Sequence, residues 1–229
     1  MKSFALVFGV ILFAAFLPGN WSVRLNFVIA PTFQFGDRSY TGSAVWSLEA
    51  NIFPVTHAGI FTKTTGEAIR LPIEGRAVYM LKRREAYPAN TYGEFPRLCD
   101  GIAHRGYQEQ IYALKSLELC TVEASAVSSM PPALVEFLDP TDPSSMRLLS
   151  YQMGLNANGQ CPSVCLLEIA ISRTELPLST DVLSELEWVS RASPDSVVTE
   201  LSFTSMESQG SQASQKFVLR HQDLFFEGE

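Results

Sequence analysis

Four cysteines offer the most specific chemistry in this chain: Cys99, Cys120, Cys161 and Cys165. Cys161-Pro-Ser-Val-Cys165 passes as one of the two knuckles that a structural zinc site needs. Cys99 and Cys120 lie too far apart to supply the other, so a four-ligand zinc site is the weaker reading. No redox Cys-x-x-Cys is present. In an oxidising compartment an even count favours disulfides, and nearness in sequence favours Cys99–Cys120 and Cys161–Cys165. A closed loop of about 20 residues contributes roughly 3 kcal/mol in the chain-entropy model. The second pair carries a geometric condition. Residues four apart on a strand lie about 13 Å apart, beyond the usual Cα reach of about 4–7 Å. Pro162-Ser163-Val164 must therefore turn.

The remaining chemistry is sparse. His57, His104 and His221 are the three histidines, and none forms a His-x-x-x-His pair. Cys99 and His104 form a thiol–imidazole couple, but a disulfide would consume the sulfur and no orienting group stands nearby in sequence. Gly42-Ser-Ala-Val lacks the second glycine of a nucleophile elbow. Gly36, Gly42, Gly59, Gly66 and Gly75 read as dispersed turns, not as a phosphate cradle. Asp139 and Asp142, set among prolines, offer too few oxygens for calcium and read as turn residues. Glu67 reads as solvated, or paired with Arg70 or Arg76. No catalytic, cofactor-binding or metal residue is assigned.

Elements must position these residues. Val23 to Phe35 alternates with period two and places Val23, Leu25, Phe27, Ile29, Phe33 and Phe35 on one face. A turn at Gly36–Ser39 leads to a second alternating run from Ala44 to Ile52, predicting an antiparallel pair. A second hairpin runs from Gly66 to Leu81 with its turn at Glu74-Gly75-Arg76. Tyr107, Ile111, Leu114 and Leu117 share a helical face, predicting the main helix over 105–119. Leu134–Leu138 reads as a short strand, Met146–Met153 as a short helix, and Val164–Ser172 as the last strong strand. Its inward side is read as Cys165, Leu167, Ile169 and Ile171.

The ends differ in character. Met1-Lys2 precedes the uncharged run Ser3–Leu17, which Pro18-Gly19-Asn20 breaks. That is the layout of a secretory signal. As a helix, about 15 residues cover about 22 Å, against a bilayer core of about 30 Å. No A-x-A cleavage site follows, so residues 1–22 read as either a signal peptide or a signal anchor. Beyond Arg191, Ser193–Gln215 is rich in Ser, Gln and Glu and reads as flexible. Two apolar clusters, Phe217–Leu219 and Leu224–Phe226, interrupt that tail. The organisation is thus 1–22 signal or anchor, 23–189 a single α+β domain of antiparallel hairpins with one main helix, and 190–229 a Ser/Gln-rich tail.

Composition sets outer limits. Hydrophobic residues make up 46% and charged residues 18%, a globular balance. A net charge of −7 gives no basic footprint for nucleic acid.

Several motifs in order carry a resemblance. They are Thr41-Gly-Ser-Ala-Val45, Gly66-Glu-Ala-Ile69, Val78-Tyr-Met-Leu81, Pro132-Ala-Leu-Val-Glu-Phe137 with Asp139 and Asp142-Pro143, and Leu166–Ile171 leading to Glu175-Leu-Pro177 and Leu186-Glu-Trp188. Together, over 22–189, they resemble a widespread family of bacterial proteins with an N-terminal signal or anchor and no assigned activity. The resemblance implies export and one α+β domain. It implies no catalytic residue or cofactor. The cysteines and the tail depart from it. The resulting expectation is an exported envelope protein, periplasmic or anchored in the inner membrane, acting as a non-enzymatic binding or interaction module. An envelope protein is the expected partner, nucleic acid is not, and the membrane is met only through the N-terminal segment. The alternatives are a signal-anchored assembly factor recruiting a partner through its tail, and an envelope hydrolase.

Overall fold

Alternation in the first forty residues of the domain becomes the spine of the molecule. The computed structural model describes residues 22–53, 58–84, 95–127, 132–189, 197–206 and 212–226. The signal or anchor reading and His57 lie outside them. Strand β1 (Ser22–Phe35) turns through Gly36 into β2 (Arg38–Thr41), and β3 (Ala44–Phe53) follows. Gly36 has φ 58°, a left-handed value that glycine adopts without steric cost. β1 pairs antiparallel with β3, with Leu25 opposite Leu48 and Phe27 opposite Trp46. The predicted inward face holds: Leu25, Phe27, Ile29 and Phe33 are buried together with Trp46 and Leu48, and Val23 and Phe35 pack against them half-buried.

β4 (Ala58–Glu67) continues the sheet beside β3 and then leaves it. After Ala68 the chain enters β5 (Ile69–Leu71) and β6 (Ala77–Arg84), the second predicted hairpin, with Ile69 opposite Met80 and Leu71 opposite Val78. The main helix spans Tyr107–Lys115, shorter than the expected 105–119. Ile111, Leu114 and Leu117 are buried as their spacing requires, but Ser116 already closes the helix, its N–H donating to the Tyr112 carbonyl. β7 (Cys120–Glu123), β8 (Pro132–Phe137), β9 (Met146–Leu148), β10 (Gln152–Met153) and β11 (Val164–Thr174) follow. The short helix expected over Met146–Met153 is therefore replaced by two strands. Met146 opposes Phe137 and Leu148 opposes Val135, so sheet pairing overrides the weak helical spacing.

The β1–β11 ladder carries a correction of its own. Thr32 faces Glu168 and Phe33 faces Leu166, so Leu167 is an extra residue in β11. Such a bulge shifts the alternation by one. Val164 and Leu166, rather than Cys165 and Leu167, consequently join Ile169 and Ile171 in the core, while Cys165 pairs opposite Gln34 outside that cluster.

Among the described residues the strands form three sheets. The largest runs β10-β11-β1-β3-β4-β14, with β2 on β1 and β7 on β11; here β14 is Phe225–Phe226. A four-stranded sheet runs β5-β6-β8-β9. The third is a hairpin of β12 (Val197–Met206) and β13 (Gln212–Arg220). The inner faces of the first two sheets enclose one core. It includes Phe27, Phe33 and Trp46 from one side and Ile69, Val78, Met80 and Leu134 from the other.

The opposite face of the four-stranded sheet is covered as well. Tyr79, Leu81, Val135 and Phe137 pack with Val182, Leu186, Val189, Leu219 and Leu224. Burial on both faces explains the continuous apolar run Ala77–Leu81 and a β8 in which all six residues are buried. It also redraws the tail for the residues described. The stretch expected to be flexible contains the β12–β13 hairpin, and Leu219 and Leu224 are buried in the second core. Two leucines against an apolar sheet supply burial that the Ser- and Gln-rich composition lacks.

Candidate functional site

The cysteines pair as expected. Cys99 joins Cys120 with Cα atoms 5.9 Å apart, and Cys161 joins Cys165 at 5.8 Å. The first bridge ties the turn Cys99–His104 to the start of β7. The second closes the entry to β11, where the chain bends at Pro162-Ser163 and the Ser163 carbonyl accepts from the Gly36 N–H at 3.0 Å. With both sulfurs bonded, the Cys99–His104 couple has no thiol to offer. Among the described residues no group of His, Cys, Asp and Glu is placed to hold a metal ion.

The polar residues converge where β4 changes sheets. Glu67 is corrected from the solvated or arginine-paired reading: it is 1% exposed. Its Oε1 accepts from the Asp181 N–H and its Oε2 from the Val182 N–H, both at 2.9 Å. It thus supplies the acceptors that the first turn of the short helix Asp181–Glu185 lacks. Burial raises its pKa, and the backbone N–H groups only partly oppose that. The Glu67 carbonyl accepts from Trp46 Nε1 at 2.9 Å. The neighbouring Ala68 N–H donates to the Leu224 carbonyl at 2.6 Å. The Val45 N–H, beyond the last β3–β4 pair, donates to Ser179 Oγ at 2.8 Å. The corner is fully engaged in joining two sheets, one helix and the chain end.

The two arginines expected near Glu67 go elsewhere. Arg70 pairs with Glu185 at the far end of the same short helix. The Tyr79 hydroxyl lies beside both, and burial pushes its pKa up, with Glu185 adding to the rise. It stays a neutral phenol. Arg76 Nε donates to Glu136 Oε1 at 2.5 Å, and Arg147 holds Oε2. Burial raises the Glu136 pKa, but the two guanidinium groups outweigh it and hold the carboxyl below the ordinary glutamate range. The Arg76 guanidinium also lies over the Phe35 ring, 5.2 Å from its centre, and Phe35 meets Tyr40 edge-on.

Asp139 and Asp142 are turn residues, as read. Asp139 Oδ1 accepts from the Thr141 N–H and hydroxyl, and Asp142 Oδ1 does the same for Ser144. The glycines were read too simply. Gly75 has φ 68° at its turn, but Gly59 and Gly66 lie inside β4. Gly42 serves close packing: a Cβ there would lie 2.1 Å from the Arg70 carbonyl oxygen.

Sequence reasoning missed Glu67, Glu136 and Tyr79 as the buried polar centres. The one available signal was a charged residue interrupting an apolar strand, as Glu136 does in Leu134-Val-Glu-Phe137. No family model, no curated protein and no solved structure matches the chain.

Proposed function

We propose that the protein is an exported, disulfide-braced binding module of the bacterial envelope, in line with the family its motif order resembles. The observation that carries the reading is the closure of both cysteine pairs, which fits an oxidising compartment. The hydrogen bonds held by the two buried glutamates support a binding role. Glu67 caps a helix and Glu136 is held between two arginines. Neither is free to exchange a proton with a substrate. The tail-recruitment alternative is less well supported, because Leu219 and Leu224 are committed to the chain's own second core.

Two measurements test the proposal. Residues 1–22 fused to a reporter active only outside the cytoplasm should give signal, and Val10→Asp with Leu12→Asp should abolish it. Non-reducing mass mapping of the natively produced protein should then find Cys99–Cys120 and Cys161–Cys165 and no alkylatable thiol. A silent reporter or two free thiols would overturn export. Crosslinking in intact cells should capture a stoichiometric envelope partner; turnover of a small ester or amide with no such partner would favour the hydrolase.

A further inference from the structure

We infer that Cys161–Cys165 is a thiol–disulfide exchange site for a partner that carries a dithiol, whereas Cys99–Cys120 is a permanent brace. The two bridges differ first in access. Cys99 and Cys120 are 1% and 7% exposed and lie in the first core, where a thiol does not reach them while the domain is folded. Cys161 is half-buried and flanked by exposed residues, Leu155 to Gln160 before it and Pro162-Ser163 after it. Cys165 is fully buried. An incoming thiolate therefore has one sulfur to attack, that of Cys161.

The bridges differ also in what they hold. Cys161 and Cys165 are 4 apart in sequence, against 21 for the other pair, so their bond removes less freedom from the unfolded chain. Hydrogen bonds that do not involve sulfur hold the same stretch of backbone. The Gln160 carbonyl accepts from the Asn156 N–H, and the Gln160 N–H donates to Asn156 Oδ1, both at 2.9 Å. The Ser163 carbonyl accepts from the Gly36 N–H. Cys165 itself pairs with Gln34 of β1 on one side and with Gln152 of β10 on the other. The two Cα atoms, 5.8 Å apart, thus keep their places when the bond opens. The open form has a partner waiting: Cys161 Sγ lies 3.7 Å from the Gln34 carbonyl oxygen, which accepts the hydrogen of the free thiol.

The exchange runs in two steps. A thiolate of the partner attacks Cys161 Sγ, forming a mixed disulfide and expelling Cys165 as a thiolate, which takes up a proton. The partner's second thiolate then attacks its own first sulfur and expels Cys161, which is protonated in turn. The partner leaves as a disulfide, and two electrons and two protons have passed to this chain. In reverse, the Cys161 thiolate attacks an oxidised partner, and Cys165 attacks Cys161 Sγ to close the bond and release the partner's dithiol. Because the second sulfur is held beside the first, closure is intramolecular and outruns capture by another thiol.

The intact chain with both pairs closed is incubated with dithiothreitol without denaturant, quenched with iodoacetamide and mapped by mass. Cys161 and Cys165 should be alkylated about tenfold faster than Cys99 and Cys120, with the circular dichroism spectrum of the folded chain retained. Glutathione disulfide should then close the same pair. Cys165→Ala, given glutathione disulfide, should accumulate a mixed disulfide at Cys161, whereas Cys161→Ala should leave Cys165 unmodified until denaturant is added. Equal rates at the two pairs, opening of Cys161–Cys165 only under denaturant, or loss of the folded spectrum when it opens would each overturn the exchange site. The bond would then be a second brace, and the export reading would stand untouched.

Discussion

A methyl group at position 42 would meet the Arg70 carbonyl oxygen at 2.1 Å, and backbone cannot swing aside as a long side chain does. Gly42→Ala should therefore force the β2–β3 connection away from β5 and cost about 1–3 kcal/mol or more. Gly106→Ala is the matched control, since its nearest neighbour, Glu109 Cδ, lies at 3.9 Å and its φ of −58° suits alanine. That change should stay within about 1 kcal/mol of wild type. Denaturant midpoints compare the two; equal values would mean the close approach carries no cost. Acid titration probes a second pair of residues. The Glu136 carboxyl titrates below its ordinary range in the folded protein. The stability it contributes is present above about pH 4.3 and is lost as pH falls through the lower folded value. Glu67 acts with the opposite sign: its raised pKa makes ionisation a cost, relieved as pH falls. Glu136→Gln should flatten the loss of stability between about pH 5 and pH 2. An unchanged slope in acid melts would show that the arginine clamp does not set it.

Strands with one buried face were legible, because period two declares both the element and its orientation. β1 and β3 follow from Leu25, Phe27, Trp46 and Leu48. Elements whose placement depends on remote partners were not. The Leu167 bulge is set by where β1 and β11 meet, and no local pattern announces it. Met146–Met153 pairs with β8 and β11 although its own spacing favours a helix. The buried polar centres were hidden for the same reason. Glu67 binds a helix more than a hundred residues away, and its solvated reading was the sound default for a lone glutamate. The cysteine pairs were readable because nearness in sequence and the Pro162-Ser163 bend agree. The face assignment gives a direct test. Phe27 is 1% exposed, and Phe27→Ala should cost about 3–5 kcal/mol. Asn26, on the other face, makes one hydrogen bond to the Leu176 carbonyl, so Asn26→Ala should cost about 0.5–1.5 kcal/mol. Thermal melts rank them, and the reverse order would refute the register.

At the scale of the whole molecule, the four-stranded sheet is central, and each covering layer comes from a different part of the chain. The large sheet covers one face, and the segments after β11 cover the other. The chain end matters most where Leu219 and Leu224 close over Tyr79, Val135 and Phe137, and where the Leu224 carbonyl accepts from Ala68. Phe225–Phe226 adds a short strand to β4 at Glu67 and Gly66. If this segment were a free recruiting arm, its removal would leave the melt unchanged. As a structural cover, it should behave otherwise. A chain ending at Arg191 would expose one apolar face of the sheet to water, bind a hydrophobic dye and melt at lower temperature. Truncation alone could act by shortening the chain, so point changes in the intact protein separate the causes. Leu219→Ala with Leu224→Ala removes two buried side chains, each worth about 2–5 kcal/mol. For a chain of this size that lowers the melting temperature by roughly 10 °C or more. Val197→Ala, at a position 51% exposed on the same hairpin, should leave it within about 2 °C. If the double variant melts with the wild type, the tail does not cover the sheet, and its apolar clusters are again available to a partner.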